Sequence, residues 1–532
     1  MDGITHAPVR RFTLAIERDG LGLTGTEARC LCESMTLQRA EPAPVTGPRR
    51  AGRRWLVAVV GIAAAIAAAF GVRAWTEARA AASLPPPPDL AGRTPALAAH
   101  VRSAYEAARR APASADAVGA LCTVLHADLL FDEAIRCYDH VRALDDGWRW
   151  DYASALIDIE LGGAPGLADR LRAIAGRAPS FAPVWLRLGE AEFKAGRYDE
   201  AASAWTRAAQ LPEPDADSAA SPPHVPEASI ASHAAFGRAR VALVRNDAAG
   251  ARDILERLVR DSPSFGPALR LLGESYRALG LEAEAARAVY RAGRLPAFAP
   301  FVDPVVDDLT RQSRNSTLLL RVASEASLMV NAAWSEHLTR RAVEFDSDNP
   351  DAVLKLARVL RTAGRNEEAL GWFVKYAERV PGDYLALAHI GSCLSALGRY
   401  AEAERYFRRS LAGLDDATTH YNVGLLMAMT GRLDEAEREY RRAVAIDPAQ
   451  ADARGNLATL LVRTGRYAEA VRELRRLVAD DPENVAALTN LGVVLIQQGR
   501  AAEARRYLER ALELAPGLPQ AREALAAIGS AP

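Results

Sequence analysis

Residues 485–516 read VAALTNLGVVLIQQGRAAEARRYLERALELAP, and this stretch decides the fold. Leu488, Leu491 and Leu495 recur with the period of one helix face until Gly499-Arg500 interrupts them. A second helical period runs through Ala504, Leu508 and Ala511 and is cut at Pro516. Two antiparallel helices joined by a glycine turn satisfy both halves of the pattern.

The unit repeats. Gly-Arg stands at Gly364, Gly398, Gly431, Gly465 and Gly499, at successive spacings of 34, 33, 34 and 34 residues. Five residues beyond each glycine comes an alanine (Ala369, Ala403, Ala436, Ala470, Ala504), and Pro381, Pro448, Pro482 and Pro516 follow the second helices. Each residue type has a physical reason to stand there. Gly ends the first helix, the small Ala lets the second approach it, and Pro stops the second.

This pattern resembles the tetratricopeptide repeat (TPR) family. The resemblance is carried by Trp185, Leu188, Gly189, Tyr198, Ala201, Trp205 and Ala208, and again by Leu488, Leu491, Gly492, Leu495, Ala504, Leu508, Ala511 and Pro516. It implies an all-α superhelical solenoid of about eleven helix pairs. In phase, the repeats start near Ala115, Arg149, Ala182, Ser232, Gly266, Ser316, Pro350, Tyr384, Ala417, Ala451 and Val485. The expected layout is an N-terminal array over 93–295 containing an exposed loop at 212–229, an insertion at 296–315, a C-terminal array over 316–516, and a capping helix and tail over 517–532. The insertion, with Pro300 and Pro304, shifts the phase by about half a repeat. A plain insertion is its simplest reading, while Phe298 and Phe301 leave open a packed plug or a docking element.

Ahead of the repeats, Trp55 to Val72 reads WLVAVVGIAAAIAAAFGV without a charge. As a helix it would extend about 27 Å, close to the hydrocarbon thickness of a bilayer. Arg49, Arg50, Arg53 and Arg54 crowd its N-terminal flank, which predicts a short, disordered cytoplasmic stub over 1–54, a transmembrane helix over 55–72, a Pro-rich spacer over 73–92 and an exported repeat region. The expected location is thus the inner (cytoplasmic) membrane of a bacterium, single-pass, with the repeats in the periplasm. A cleaved signal, with Ala78-Arg79-Ala80 as the processing site and Met35 as the start, is the alternative.

Composition narrows the function classes. Lys+Arg 66 against Asp+Glu 67 leaves a net charge of −1, so no overall field gathers nucleic acid, and 49% hydrophobic residues exclude wholesale disorder. Gly20, Gly22 and Gly25 spell a dinucleotide fingerprint, but the βαβ unit it needs has no room before the apolar run. No Ser, His and acid set and no phosphate-cradling loop appears in the repeats, so neither an enzyme nor a cofactor is expected. Five cysteines are too few and scattered for a disulfide framework. Cys122, His126, Cys137 and His140 have the spacing of a zinc site, yet the repeat phase points them in several directions. Buried thiols and solvated imidazoles are the expectation.

Binding is expected in the groove lined by the first helices. Their sixth position is Asn422, Asn456 and Asn490 in three successive repeats, with His389 and Lys355 in the two before. Amides at regular intervals suit the backbone of an extended peptide, whatever its side chains. The row is similar to the asparagine ladder in the TPR arm of O-linked N-acetylglucosamine transferases, without their catalytic domain. Tyr421, Thr489 and Gln497 are expected to share the concave side. The partner is therefore an unidentified protein or extended peptide segment, with membrane contact through 55–72. A regulatory or assembly subunit of an envelope polysaccharide enzyme, or of a cytochrome c maturation system, is the alternative setting.

Overall fold

The computed structural model describes residues 71, 72, 75, 84–214, 229–296, 300–328 and 332–529 and divides into two units, Met1–Trp75 and Thr76–Pro532. The helical architecture belongs to the second unit. The stub, the apolar run up to residue 70, most of the loop 212–229, and Phe298 lie outside the described residues. Among the described residues no helix is long and apolar enough to cross a membrane.

Twenty-five helices and no strand account for the regular structure of those residues. A lone helix α1 (Pro95–Arg110) precedes α2 (Ala115–Ala127), α3 (Phe131–Leu144), α4 (Trp148–Glu160), α5 (Leu167–Arg177), α6 (Ala182–Lys194), α7 (Tyr198–Ala209), α8 (Ile230–Val244), α9 (Ala248–Asp261), α10 (Gly266–Ala278) and α11 (Glu282–Gly293). These ten form five antiparallel pairs, the first array. After the single helix α12 (Pro304–Gln312) come α13 (Ser316–Leu328), α14 (Ala332–Phe345), α15 (Pro350–Thr362), α16 (Asn366–Arg379), α17 (Tyr384–Ala396) and α18 (Tyr400–Gly413). The second array continues through α19 (Ala417–Met429), α20 (Leu433–Ile446), α21 (Ala451–Arg463), α22 (Tyr467–Asp480), α23 (Val485–Gln497) and α24 (Ala501–Leu514), and α25 (Pro519–Gly529) covers its end. The pairs number eleven, as expected. Nine begin at the expected residue, α4 begins one residue early and α8 two.

Local chemistry explains most boundaries of the second array. First helices of the second array are mostly capped by short polar side chains: Asn349, Asp383, Asp416 and Asn484 each accept a backbone N–H of the first turn, while Gln450 makes no such bond. They end where Gly364, Gly398, Gly431, Gly465 and Gly499 take φ between 73° and 79°, the left-handed region in which glycine carries no Cβ penalty. Leu129 and Asn246 stand in that conformation in two repeats of the first array, where no glycine marks the turn. In the second array, the second helices α16, α18, α20, α22 and α24 follow an arginine instead. Arg399 reaches forward to Glu402 at 2.8 Å and Arg466 to Glu469 at 2.6 Å, placing a carboxylate in the first turn where the helix dipole favours it.

Packing follows from the same positions. Ala369, Ala403, Ala436, Ala470 and Ala504 are completely buried between the helices of their pairs. Three residues, Phe407, Tyr440 and Leu508, press onto the glycine of the partner helix. A Cβ on Gly391, Gly424 or Gly492 would lie 2.8, 2.7 and 2.5 Å from them. The second array thereby shares one continuous core from Leu319 to Ala504, whereas the first is divided among smaller clusters.

The insertion proves to be structured. Segment 300–315, with α12, packs on the first-helix face of the first array: Val305 meets the core around Leu121 and Val141, and Leu309 the core around Leu156 and Leu188. A plain insertion is therefore replaced by the plug reading, for the physical reason that α12 has an apolar face and buries it. The second array does not continue the stack from α11. It starts beside α2, where Asp128 accepts the Arg314 N–H at 2.6 Å and its carbonyl accepts from the Asn315 amide at 3.1 Å. From there α14 returns to α1, and Arg321 of α13 pairs with Glu160 of α4 at 3.2 Å.

Candidate functional site

Neighbouring first helices in the second array touch one another, as α15 touches α13 and α17 touches α19, so they line the inner face. Asn422 and Asn456 are half-buried there and Asn490 is exposed. Asn456 donates its amide to the Tyr421 hydroxyl of the preceding repeat at 3.3 Å, so this asparagine also ties two repeats together. Tyr421 itself is half-buried, its ring 6.1 Å from that of Tyr440.

Two expected groove residues are elsewhere. Thr489 is only 2% exposed, its hydroxyl donating to the Val485 carbonyl at 2.7 Å, so it presents no surface to a ligand. That internal bond satisfies the hydroxyl and lets a polar side chain sit in an apolar layer. Gln497, in the last turn of its helix, lies with Arg466 and Glu469 in a shallow depression at the hairpin turns, away from the asparagine row.

The corresponding face of the first array is occupied. The plug's Asp303 is 2% exposed and accepts from the Tyr152 hydroxyl at 2.6 Å and from Arg187 Nη2 at 2.8 Å, while Arg187 Nε donates to the same tyrosine oxygen at 2.8 Å. Burial, first, drives the Tyr152 phenol well above its ordinary value. Phe301 lies under the Arg187 guanidinium, 5.1 Å away, and edge-on to His233. Arg341 of α14 donates to the carbonyls of Thr310, Arg311 and Ser313, capping the C-terminus of α12. Beside the plug a cavity of about 740 Å³ remains, walled by Leu156, Ile159, Leu186, Phe236 and Val322. Asp307 borders it, and among the described residues no hydrogen bond reaches its carboxylate. Burial and then the Asp303 charge raise Asp307 to about 7. Neither plug nor cavity has a local signal in the sequence beyond Phe301 and the paired prolines.

The cysteine pair is a correction. Cys122 of α2 and Cys137 of α3 are joined by a disulfide, their Cα atoms 5.2 Å apart. His126 is buried, not solvated, with Nδ1 3.4 Å from the Tyr138 hydroxyl, and burial lowers it to about 3. His140 is half-buried, and its Nε2 has no hydrogen-bond partner among the described residues. Among the described residues no three His, Cys, Asp or Glu side chains gather as metal ligands.

A solenoid of helix pairs with glycine turns, buried interhelix alanines and an inner face of first helices defines a repeat scaffold. Tetratricopeptide repeat profiles match residues 168–221, 232–300, 333–384 and 456–519, and a second such profile matches 384–449. Together they span more than half of the 532 residues, and the chain belongs to the tetratricopeptide repeat family. Similar solved structures include YrrB, described as a TPR protein with an unusual peptide-binding site (22% identity, 35% of this chain and 96% of that one, TM-score 0.30). Others are pilF of Pseudomonas aeruginosa (18% identity, 40% and 97%, TM-score 0.35) and a chain of the APC/C hetero-tetramer Cut9-Hcn1 (13% identity, 80% and 92%, TM-score 0.37). At these identities the likeness is one of fold alone. No curated protein matches the chain.

Proposed function

We propose that this chain is a membrane-anchored, non-catalytic scaffold of the bacterial envelope, whose second array binds an extended segment of a protein partner. One contrast carries the reading: the chain fills the inner face of its first array with its own segment 300–312, while among the described residues no other segment packs into the inner face from Lys355 to Asn490. An open row of amides and cations offers hydrogen bonds and charge to a ligand that supplies its own extended backbone.

Two further observations support the cellular setting. The apolar run 55–72 with its arginine-rich N-terminal flank supports an anchor with the repeats exported. The Cys122–Cys137 disulfide supports an oxidising compartment, because such bonds persist in the periplasm and are reduced in the cytosol. A reporter active only after export, fused after Pro532, tests the topology. Activity in the membrane fraction is the expected result. Activity of a cytoplasm-dependent reporter at the same position would reverse the orientation, and a soluble product starting near Ala81 would replace the anchor by a cleaved signal.

A further inference from the structure

The open face is not uniform. Lys355, Arg358 and Arg361 follow at three-residue steps on α15, and His389 of α17 lies beside them, its ring 5.0 Å from Phe373. None of the four makes an ion pair among the described residues, in a chain whose turn arginines pair repeat after repeat. The nearby acids are engaged or distant. Asp383 accepts from Tyr376 and from the Ala386 N–H, Asp416 accepts from Thr419 twice, and Asp351, one turn before Lys355, lies outside ion-pair range of it. Arg361 Nε is buried and meets no acceptor among the described residues.

The groups also repel one another. Burial, then Arg361 and Arg358, hold His389 down to about 4, and burial, then Arg358, holds Lys355 below its ordinary value. Clustering like charges on one half-buried face without counter-charge disfavours the unliganded state, and an incoming anion removes that penalty. Leu385, one helical turn before His389 and 44% exposed, adds an apolar contact to the same face. Downstream, the sixth helix position changes from Lys355 and His389 to the asparagines.

We infer that Lys355, Arg358, Arg361 and His389 form the anchoring subsite of the groove, and that its occupant is an acidic segment of the partner protein, lying extended toward Asn422 and Asn490. This rests on the second array binding a protein partner. Carboxylates pair with the guanidinium forks and an adjacent aliphatic side chain covers Leu385, while the amides take the backbone. The recessed position on first helices selects a strand-like chain over a bilayer surface or a nucleic-acid duplex.

The test uses the full-length chain in uncharged detergent micelles and the fluorescence anisotropy of labelled Ala-Glu, Ala-Gln and Ala-Lys peptides of equal length. The Ala-Glu peptide binds, the other two bind at least about tenfold more weakly, and rising salt weakens the first. Arg358→Glu, an exposed position, and Lys355→Gln each weaken the Ala-Glu peptide by about threefold to thirtyfold with unchanged helical melting. Equal binding of Ala-Gln, no effect of either substitution, or no binding at all overturns the acidic subsite. Displacement by inorganic phosphate as effective as by free peptide reassigns the cluster to a phosphate ligand and overturns it too. Photocrosslinking from Asn490 in cells separates the two levels. Crosslinks to a protein without Ala-Glu binding remove the acidic subsite and leave the scaffold, whereas no crosslinks from Asn490 remove the partner reading itself.

Discussion

Arg466 donates to Glu437 of the preceding repeat at 2.6 Å while it holds Glu469 of its own turn at the same distance. Arg432 repeats the arrangement with Glu404 and Glu435, and Arg365 with Glu336 and Glu368. The arginine of the Gly-Arg motif is thus a coupling element between repeats as well as the start of a helix. In a solenoid, where stability depends on nearest-neighbour interfaces, such coupling sets how cooperatively the repeats melt.

The ladder predicts an acid dependence. Hydrogen bonds from Arg466 and then Arg441 hold Glu469 down at about 2, against an ordinary 4.5. A depressed folded-state pKa contributes stability that is complete above about 4.5 and is lost as pH falls toward about 2. Arg466→Met therefore destabilises the wild-type fold at pH 7 and matters progressively less below pH 4. Urea titrations at both pH values, with and without high salt, provide the measurement. A pH-independent difference between variant and wild type would contradict the ladder.

The disulfide predicts a redox-sensitive first array. Cys122 and Cys137 close a loop with a sequence separation of 15, for which chain entropy gives about 3 kcal/mol of stabilisation. The double variant Cys122→Ala/Cys137→Ala loses about 2–4 kcal/mol, localised to α1–α5 in hydrogen exchange. Alkylation of the denatured protein taken from cells modifies only Cys393 among the repeat cysteines before reduction. Reaction of Cys122 and Cys137 without a reductant would contradict both the bond and the oxidising compartment.

The plug predicts two opposite substitutions. Asp303→Ala leaves Arg187 without its buried partner and costs about 3–5 kcal/mol, seen as faster exchange and proteolysis across 300–315 while α15–α24 keep their protection. Asp307→Asn has the contrary effect. Its raised folded value, about 7 against 3.8, means that wild-type stability falls as pH rises through that interval. The Asn variant is then more stable than wild type by about 1–3 kcal/mol at pH 8 and equal to it near pH 4. Equal melting of the two at pH 8 would show that the Asp307 carboxyl is solvated.

Interhelix packing is the strictest test of register. Ala470 is fully buried between α21 and α22, so Ala470→Leu costs about 1–3 kcal/mol by overpacking. Thermal melting checks it. An unchanged curve would mean that the fifth residue after each turn glycine does not face the partner helix.

The second array was legible because each structural role there falls to one residue type at one phase: a glycine at the turn, an alanine between helices, a large residue over the first-helix glycine. The plug was not, because Tyr152, Arg187 and Asp303 meet across 35 and 116 residues of chain, a relation that no local period encodes. The Cys122–Cys137 bond lay closer to reach. The repeat phase puts Cys122 where two helices meet, and carrying that phase across the hairpin brings Cys137 opposite it. Thr489 misled because a hydroxyl that bonds its own helix behaves in a core as a small apolar group. Gln497 misled because the last turn of a first helix has already left the inner face.

The central claim, that the open inner face of the second array is where a partner binds, is tested most directly by placing a photoactivatable phenylalanine analogue singly along it and opposite it. Asn490 and Arg358 represent the inner face, and the exposed Arg438 and Arg472 on second helices represent the outer one. Crosslinking in intact cells is predicted to give the same protein adduct from both inner positions and none from the outer pair. Adducts from the outer positions alone, or equally from both faces, would contradict the account.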